Sequence, residues 1–271
     1  MKLFERLARG SARRFGFDLV GLGPDYLLGR RGADRFERAK ALTGFQLWHD
    51  LKFLLKQFEI NCVLDVGANT GQFALGLRRA GYEGHIISFE PVGAAYARLR
   101  AAAERDPAWS VLNFALGSAN CEATINVTSN SDLSSLLTPN PYSQERFGKK
   151  MELVGTEEVT VRRLDSVLYD VAGHVARPRF YLKMDTQGYD LETFAGLGES
   201  ADLMLGLQSE VSTLPIYHEM PPLTEAVRVY EARGFEIAGM YPVGWDKPTG
   251  RVLEFDCVMV RPGAAGRAAR P

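Results

Sequence analysis

Four acids hold the positions from which chemistry is most readily done: Asp65, Glu90, Asp185 and Glu210 each stand at or near the end of a short apolar run, and His218 follows the last. The run Cys62-Val63-Leu64-Asp65-Val66 leads into Gly67-Ala68-Asn69-Thr70-Gly71 and then a helical pattern opening at Phe73. Strand, glycine turn and helix together form a nucleotide-binding unit. Gly67 permits a tight turn and close approach of backbone to ligand, and free N–H groups at the helix start favour polar or anionic ligand groups. Asn69 stands where a dinucleotide fingerprint has its second glycine. A carboxylate at 65 repels a pyrophosphate but suits the cationic end of S-adenosylmethionine. Glu90-Pro91 ends the next apolar run about twenty residues later, the place for a carboxylate that accepts both ribose hydroxyls.

The second pair of acids points to proton transfer. Phe180-Tyr181-Leu182-Lys183-Met184-Asp185 reads as a central strand, where a charge is costly unless paired. Alternation puts Lys183 and Asp185 on one side, so Lys183 is expected to pair with Asp185, Glu210 or Asp65. Asp185 then sits at a strand's carboxyl end, where ligands bind in open α/β sheets. Asp185, Glu210 and His218, in that order, are candidates for the base that activates a hydroxyl. Asp185 and Glu210 could instead hold Mg2+, whose hard oxygen ligands they supply.

The elements that must position these residues alternate. An apolar stripe through Leu47, Trp48, Leu51, Leu54, Leu55 and Phe58 predicts a helix ending just before the first strand. Strands then end at Val66, Glu90 and Ala115, with a helix through Ala94, Ala95, Leu99 and Ala102, which predicts a parallel sheet with right-handed crossovers. The third strand is read as Ser110–Ala115; Asn113 and the backbone of Ala115 are candidates for reading the adenine edge. Residues 120–163 interrupt the alternation with two antiparallel strands, Glu122–Val127 and Glu158–Val161, around a polar loop and a charged, mobile-looking Tyr142–Lys150. That insert is expected to overhang the site and select the substrate. Two closing strands, Phe235–Tyr241 and Val252–Val260, have no helix between them and predict an antiparallel pair.

Residues 1–44 read as a helical extension or lid, 45–261 as the main domain and 262–271 as a disordered tail. The first forty residues carry ten Lys or Arg against five Asp or Glu, and Leu3, Phe4, Leu7 and Ala8 have helical spacing, so peripheral contact with a membrane surface is an alternative to packing as a lid. Over 271 residues the net charge is -1, which argues against a dedicated nucleic-acid binder. Cys62, Cys121 and Cys257 lack metal or redox spacing and read as reduced thiols in a cytoplasmic protein. No apolar run is long enough to span a membrane. Nothing in the sequence speaks to oligomeric state.

Taken together, these motifs resemble the FkbM family of S-adenosylmethionine-dependent methyltransferases. The resemblance runs from about Asn61 to Val260. It rests on Asp65-Val66-Gly67-Ala68-Asn69-Thr70-Gly71, Phe89-Glu90-Pro91, Asn113-Phe114-Ala115-Leu116-Gly117, Ser134-Ser135-Leu136, Lys183-Met184-Asp185-Thr186-Gln187-Gly188-Tyr189-Asp190, and Glu210 before Tyr217. Where the family usually writes Lys-x-Asp-x-Glu-Gly-x-Glu, this chain has Gln187 and Asp190, and the family often has an acid or amide where His218 stands. The resemblance implies an α/β class, a seven-stranded Rossmann-like sheet of order 3-2-1-4-5-7-6 with its last strand antiparallel. It implies cofactor contacts from Asp65, Gly67, Asn69, Gly71, Phe73, Glu90, Pro91, Asn113, Ala115 and Asp185, and substrate contacts from Ser134, Ser135 and Tyr217. It also implies O-methylation of a hydroxyl on a sugar, glycolipid or polyketide-type product. Two rival readings share the glycine turn: an NAD-dependent oxidoreductase, which has no use for Asp65, and a non-catalytic S-adenosylmethionine-binding partner subunit.

Overall fold

The computed structural model describes residues 8, 10–22 and 25–264. Residues 10–14 are helical, Gly16 turns the chain at φ +83°, and β1 (Phe17–Leu22) pairs antiparallel with β2 (Asp25–Arg30). The extension read as helical is therefore in part a two-stranded hairpin. Two six-residue segments are too short to gain much as helices, and pairing satisfies their backbones instead. Leu3, Phe4 and Leu7, and residues 265–271, lie outside the described residues.

Helix α1 (Arg35–Gln57) begins well before the stripe that revealed it. Asp34 accepts from the amides of Phe36 and Glu37, and Glu37 reaches back to the amide of Asp34, so a capping box fixes the start. Leu47, Leu51 and Leu55 are its buried face.

The alternating part follows: β3 (Cys62–Val66), α2 (Gln72–Arg79), β4 (His85–Phe89), α3 (Gly93–Ala103) and β5 (Trp109–Leu112). The predicted third strand ends early. After Leu112 the chain leaves the sheet, and β6 (Ala115–Leu116) joins a separate sheet. Asn113 makes the break: its Nδ2 donates to the carbonyls of Glu90 and Pro91, both at 2.9 Å, and so ties the strand end to its neighbour.

In that second sheet β8 (Leu153–Arg162) lies between β6 and β7 (Cys121–Thr128), antiparallel to β7. Between β7 and β8 lies α4 (Pro141–Phe147), where a mobile segment was expected. Asn140 caps α4 by accepting from the Ser143 amide, and Tyr142 and Phe147 pack on Leu133, Met151, Ile216, Tyr217 and Met220. Charge at Glu145, Lys149 and Lys150 masked this apolar side.

The chain then gives α5 (Leu164–Ala172), β9 (Phe180–Met184), α6 (Asp190–Ala195), β10 (Met204–Ser212), α7 (Leu223–Ala232), β11 (Glu236–Trp245) and β12 (Val252–Val260). The main sheet has seven strands in the order β11-β12-β10-β9-β3-β4-β5, with β12 antiparallel to both neighbours and the β10-β9-β3-β4-β5 run parallel. Numbered along the chain within this sheet, that is 6-7-5-4-1-2-3. Every residue of β3 and of β9 is buried, as expected for central strands covered on both faces. One core layer packs under α5, α6 and α7, the other under α1, α2 and α3. Among the described residues no helix is long and apolar enough to cross a membrane.

The glycine turn is held by what lies beneath it. A Cβ at Gly71 (φ +89°) would come within 2.8 Å of the Trp109 ring. Gly71→Ala is expected to destabilise the fold by about 1–3 kcal/mol through strain and overpacking, read from urea unfolding midpoints.

Candidate active site

A cavity of about 1000 Å³ opens over the carboxyl ends of β3, β4, β9 and β10 and reaches Glu254 and Asp256 on β12. Its floor is set by register. Ser88, Asp65, Lys183 and Gln208 lie side by side on β4, β3, β9 and β10, a polar row across four parallel strands.

Asp65 has no exposed surface and does not line the cavity. Ser88 donates to its Oδ2 at 3.1 Å, Trp109 Nε1 donates to Ser88, and Lys183 Nζ lies 3.3 Å from its Oδ1. Burial raises its pKa, with Lys183 and Ser88 opposing. The residue expected to face the cofactor's cationic end is thus an internal counter-ion, because β3 is covered on both faces. Lys183 also lies 3.5 Å from Asp185, so two of its three expected partners are met. Burial works against its ammonium, but Asp185 and Asp65 more than offset that and leave its pKa raised.

Gly67 shows a similar shift of role. A Cβ there would fall 2.0 Å from the Asp185 carbonyl oxygen, so the close approach that requires glycine (φ +73°) is to the neighbouring strand end. The turn's outer face does reach the cavity, through Gly67, Asn69 and Phe73. Phe73 stacks obliquely on Trp48 of α1 at 5.5 Å, so Trp48 both packs and walls the cavity.

Glu90 lines the cavity and is 6% exposed. It accepts from the amides of Asn69 and Val92, both at 2.8 Å, one on each oxygen. Each oxygen therefore keeps a lone pair for hydroxyl donors. Burial pushes its pKa up to about 7 against those two amides. A carboxyl that is harder to ionise folded than unfolded weakens the fold as pH rises through the interval between the two pKa values. Across pH 5–8, the stability of Glu90→Gln relative to wild type should therefore improve by roughly 2.5 kcal/mol, because only the part of that range below about pH 7 contributes, at about 1.36 kcal/mol per unit. Thermal unfolding of both proteins across that range checks it; parallel curves would refute it.

The insert closes over the turn. Asp132 Oδ1 accepts from Asn69 Nδ2 at 2.6 Å and from Gln72 Nε2 at 3.2 Å. Ser134 and Ser135 line the cavity, but Ser135 Oγ is engaged with the Gln187 carbonyl and the Leu137 amide. Arg146 on α4 grips Glu254 on β12 with two bonds of 3.0 Å.

Asp185 lines the cavity just beyond β9, with Gln187 Nε2 donating to its Oδ1 at 2.9 Å. A glutamate at 187 could not donate that bond, which gives the departure at 187 a physical role. Asp190, buried, accepts from the Thr186 amide and hydroxyl and from Ser209, and so pins the turn that carries Asp185. Glu210 lines the cavity too; burial, then Asp185, Glu254 and Asp256, push its pKa well above the carboxylate range. Pro91 and Ala115 are also in the wall.

Besides Asp65, four expected residues lie outside the cavity wall, and Gly71, packed against Trp109 and Leu99, is one of them. Asn113 is consumed by its two backbone carbonyls. Tyr217 is buried and its hydroxyl donates to the Leu133 carbonyl and Gln187 Oε1. His218 is exposed and outside the cavity wall, with only its backbone amide engaged, on Thr138. Among the described residues no group of three or more His, Cys, Asp or Glu is arranged to hold a metal ion. The sequence reading passed over Gln208, Glu254 and Asp256. The signal was available: they break apolar strands at a period of two, the same argument that exposed Lys183.

Solved structures similar in fold include the magnesium protoporphyrin IX methyltransferase of Synechocystis PCC 6803 with bound SAM (10% identity, TM-score 0.44, 86% of each chain). Another is the methyltransferase domain of a bacterial CtHen1-C (11%, TM-score 0.43, 80% of this chain and 98% of that one). A third is Aeropyrum pernix fibrillarin with natively bound S-adenosyl-L-methionine (13%, TM-score 0.42, 78% and 74%). No curated protein matches the sequence. The family model described as the methyltransferase FkbM domain matches residues 65–236, from the buried acid of β3 to the first residue of β11, and the chain belongs to that family.

Proposed function

We propose that the protein is an S-adenosylmethionine-dependent O-methyltransferase acting on a hydroxyl of a small-molecule acceptor in the cytoplasm, of sugar, glycolipid or polyketide type. The observation that carries this is one cavity lined at once by the glycine turn, by Glu90 with a free lone pair on each oxygen, and by Asp185. Bound S-adenosylmethionine supplies a methyl group already activated on sulfonium. Glu90 accepts the ribose hydroxyls, Gly67, Asn69 and the open start of α2 meet the amino-acid end, and Phe73, Pro91 and Ala115 flank the base. No side chain caps the first turn of α2, so its amides are available.

The protein then has two tasks. Alignment of oxygen, carbon and sulfur can be worth about 7–11 kcal/mol. Removal of the acceptor's proton contributes about 10²–10⁴-fold. As the acceptor oxygen bonds the methyl carbon, the carbon–sulfur pair stays with sulfur and the hydroxyl proton passes to Asp185. Burial and the acidic neighbours of Glu210 oppose its charged form, so the proton is assigned to Asp185 rather than to Glu210. Ser134 and the 130–135 loop border the acceptor.

Calorimetry with S-adenosylmethionine, S-adenosylhomocysteine and NAD tests the donor assignment: micromolar binding of the first two and none of the third is expected. Mass spectrometry of glycans, lipids and polyketides incubated with labelled donor tests the transfer. Donor binding without transfer to any acceptor would leave a non-catalytic subunit.

A further inference from the structure

The cavity's far end, beyond Asp185, has a chemistry of its own. Gln208 and Glu210 alternate onto the same face of β10, and Asp256 on β12 lies opposite Glu210 in register. All three line the cavity. Gln208 is 3% exposed and its Oε1 has no hydrogen-bond partner, although buried amide oxygens are nearly always satisfied. Among the described residues, no ion pair joins Glu210 or Asp256 to a cation. The nearby cations are engaged: Lys183 stands between Asp65 and Asp185, and Arg146 grips Glu254. Burial and then Asp185 raise the Asp256 carboxyl to about 6, against a hydrogen bond from Gln208 and the charges of Lys183 and, at the exposed rim, Lys40.

Gln208 is hydrogen-bonded to the Asp256 carboxyl, so its N–H side is engaged there, and what this end of the wall leaves for a ligand is acceptors: two carboxyls without an ion-pair partner and the orphaned Gln208 amide oxygen. A neutral diol would satisfy lone pairs but leave the charge uncompensated in a buried site, which is costly. An ammonium group brings three N–H donors and the missing positive charge together. Its arrival also offsets the repulsion that Asp185, Glu254 and Asp256 exert on a charged Glu210.

We propose that the cavity wall formed by Gln208, Glu210 and Asp256 binds a protonated amine of the acceptor, so that the methylated hydroxyl belongs to an amino alcohol. This rests on the methyltransferase reading above, because it places an acceptor beside Asp185. A sugar acceptor would then be an amino sugar with its nitrogen free, not acylated.

Ligand-observed NMR titration at pH 7 tests the site with three probes of one size: trans-2-aminocyclohexanol, its N-acetyl derivative and trans-1,2-cyclohexanediol. Each is titrated with and without saturating S-adenosylhomocysteine. The amine is expected to bind at least tenfold more tightly than the other two. Asp256→Asn and Gln208→Leu, both close in size to the residues they replace, should each weaken it about tenfold while S-adenosylhomocysteine affinity stays within twofold. Equal binding of amine and diol overturns the proposal, as does amine binding indifferent to both substitutions. Parallel loss of S-adenosylhomocysteine affinity also overturns it, since these groups would then serve the methyl donor. If wild type binds no S-adenosylhomocysteine yet selects the amine through Asp256, the functional reading falls and the amine site stands.

Discussion

Asp185→Asn is expected to lower turnover by about 10²–10⁴-fold while S-adenosylhomocysteine affinity, measured by calorimetry, changes no more than several-fold. The amide keeps the shape of the side chain and its place beside Gln187, but it cannot take a proton from the acceptor. Because the turn is pinned from below by Asp190 through Thr186 and Ser209, the backbone that carries residue 185 has no reason to move. The loss should therefore appear in kcat, with a modest loss of thermal stability because Lys183 then keeps Asp65 as its counter-ion without Asp185. Wild-type turnover in this variant would take Asp185 out of the mechanism. A loss confined to donor affinity would instead place it in the cofactor site.

Lys183→Met should have the largest effect on folding, about 3–5 kcal/mol, because it leaves Asp65 buried without a counter-ion. Asp65 is 0% exposed and cannot turn to water, and Ser88 alone donates to it. The companion Asp65→Asn/Lys183→Met removes both charges and should regain much of the loss. Urea denaturation of the three proteins gives the comparison. If the single and double variants unfold at the same midpoint, the pair is not what stabilises this row of the sheet.

How legible the site was depends on the scale of the interaction that fixes each residue. Glu90 and Asp185 were placed from sequence because their positions follow from local periodicity: an acid at the carboxyl end of a parallel strand lies at the mouth of such a sheet whatever surrounds it. Lys183 was legible for a related reason, since a charge in a doubly covered strand needs a partner. Asp65 obeys the same rule, and Lys183 was among its expected neighbours, but its depth beneath the cavity was not legible. That depth is set by Ser88 and Lys183, on the two flanking strands, and nothing local distinguishes a carboxylate at a strand's last turn from one just beyond it. Asn113 and Tyr217 carry polar atoms that their own backbone surroundings consume, which no spacing reveals.

The alternating α/β sheet, the glycine turn, the acids after β4 and β9 and the antiparallel closing strands were all readable from the chain alone, because each is written in contacts between residues a few positions apart. Which acids face the cavity and which sit beneath it follows from the packing of the strands against one another. Tertiary structure also turned a segment read as mobile into a helix latched to β12 by Arg146, and it brought Gln208, Glu210 and Asp256 to one wall. Those outcomes depend on register between strands far apart in the chain, and a pairing energy exists only once both partners are in place.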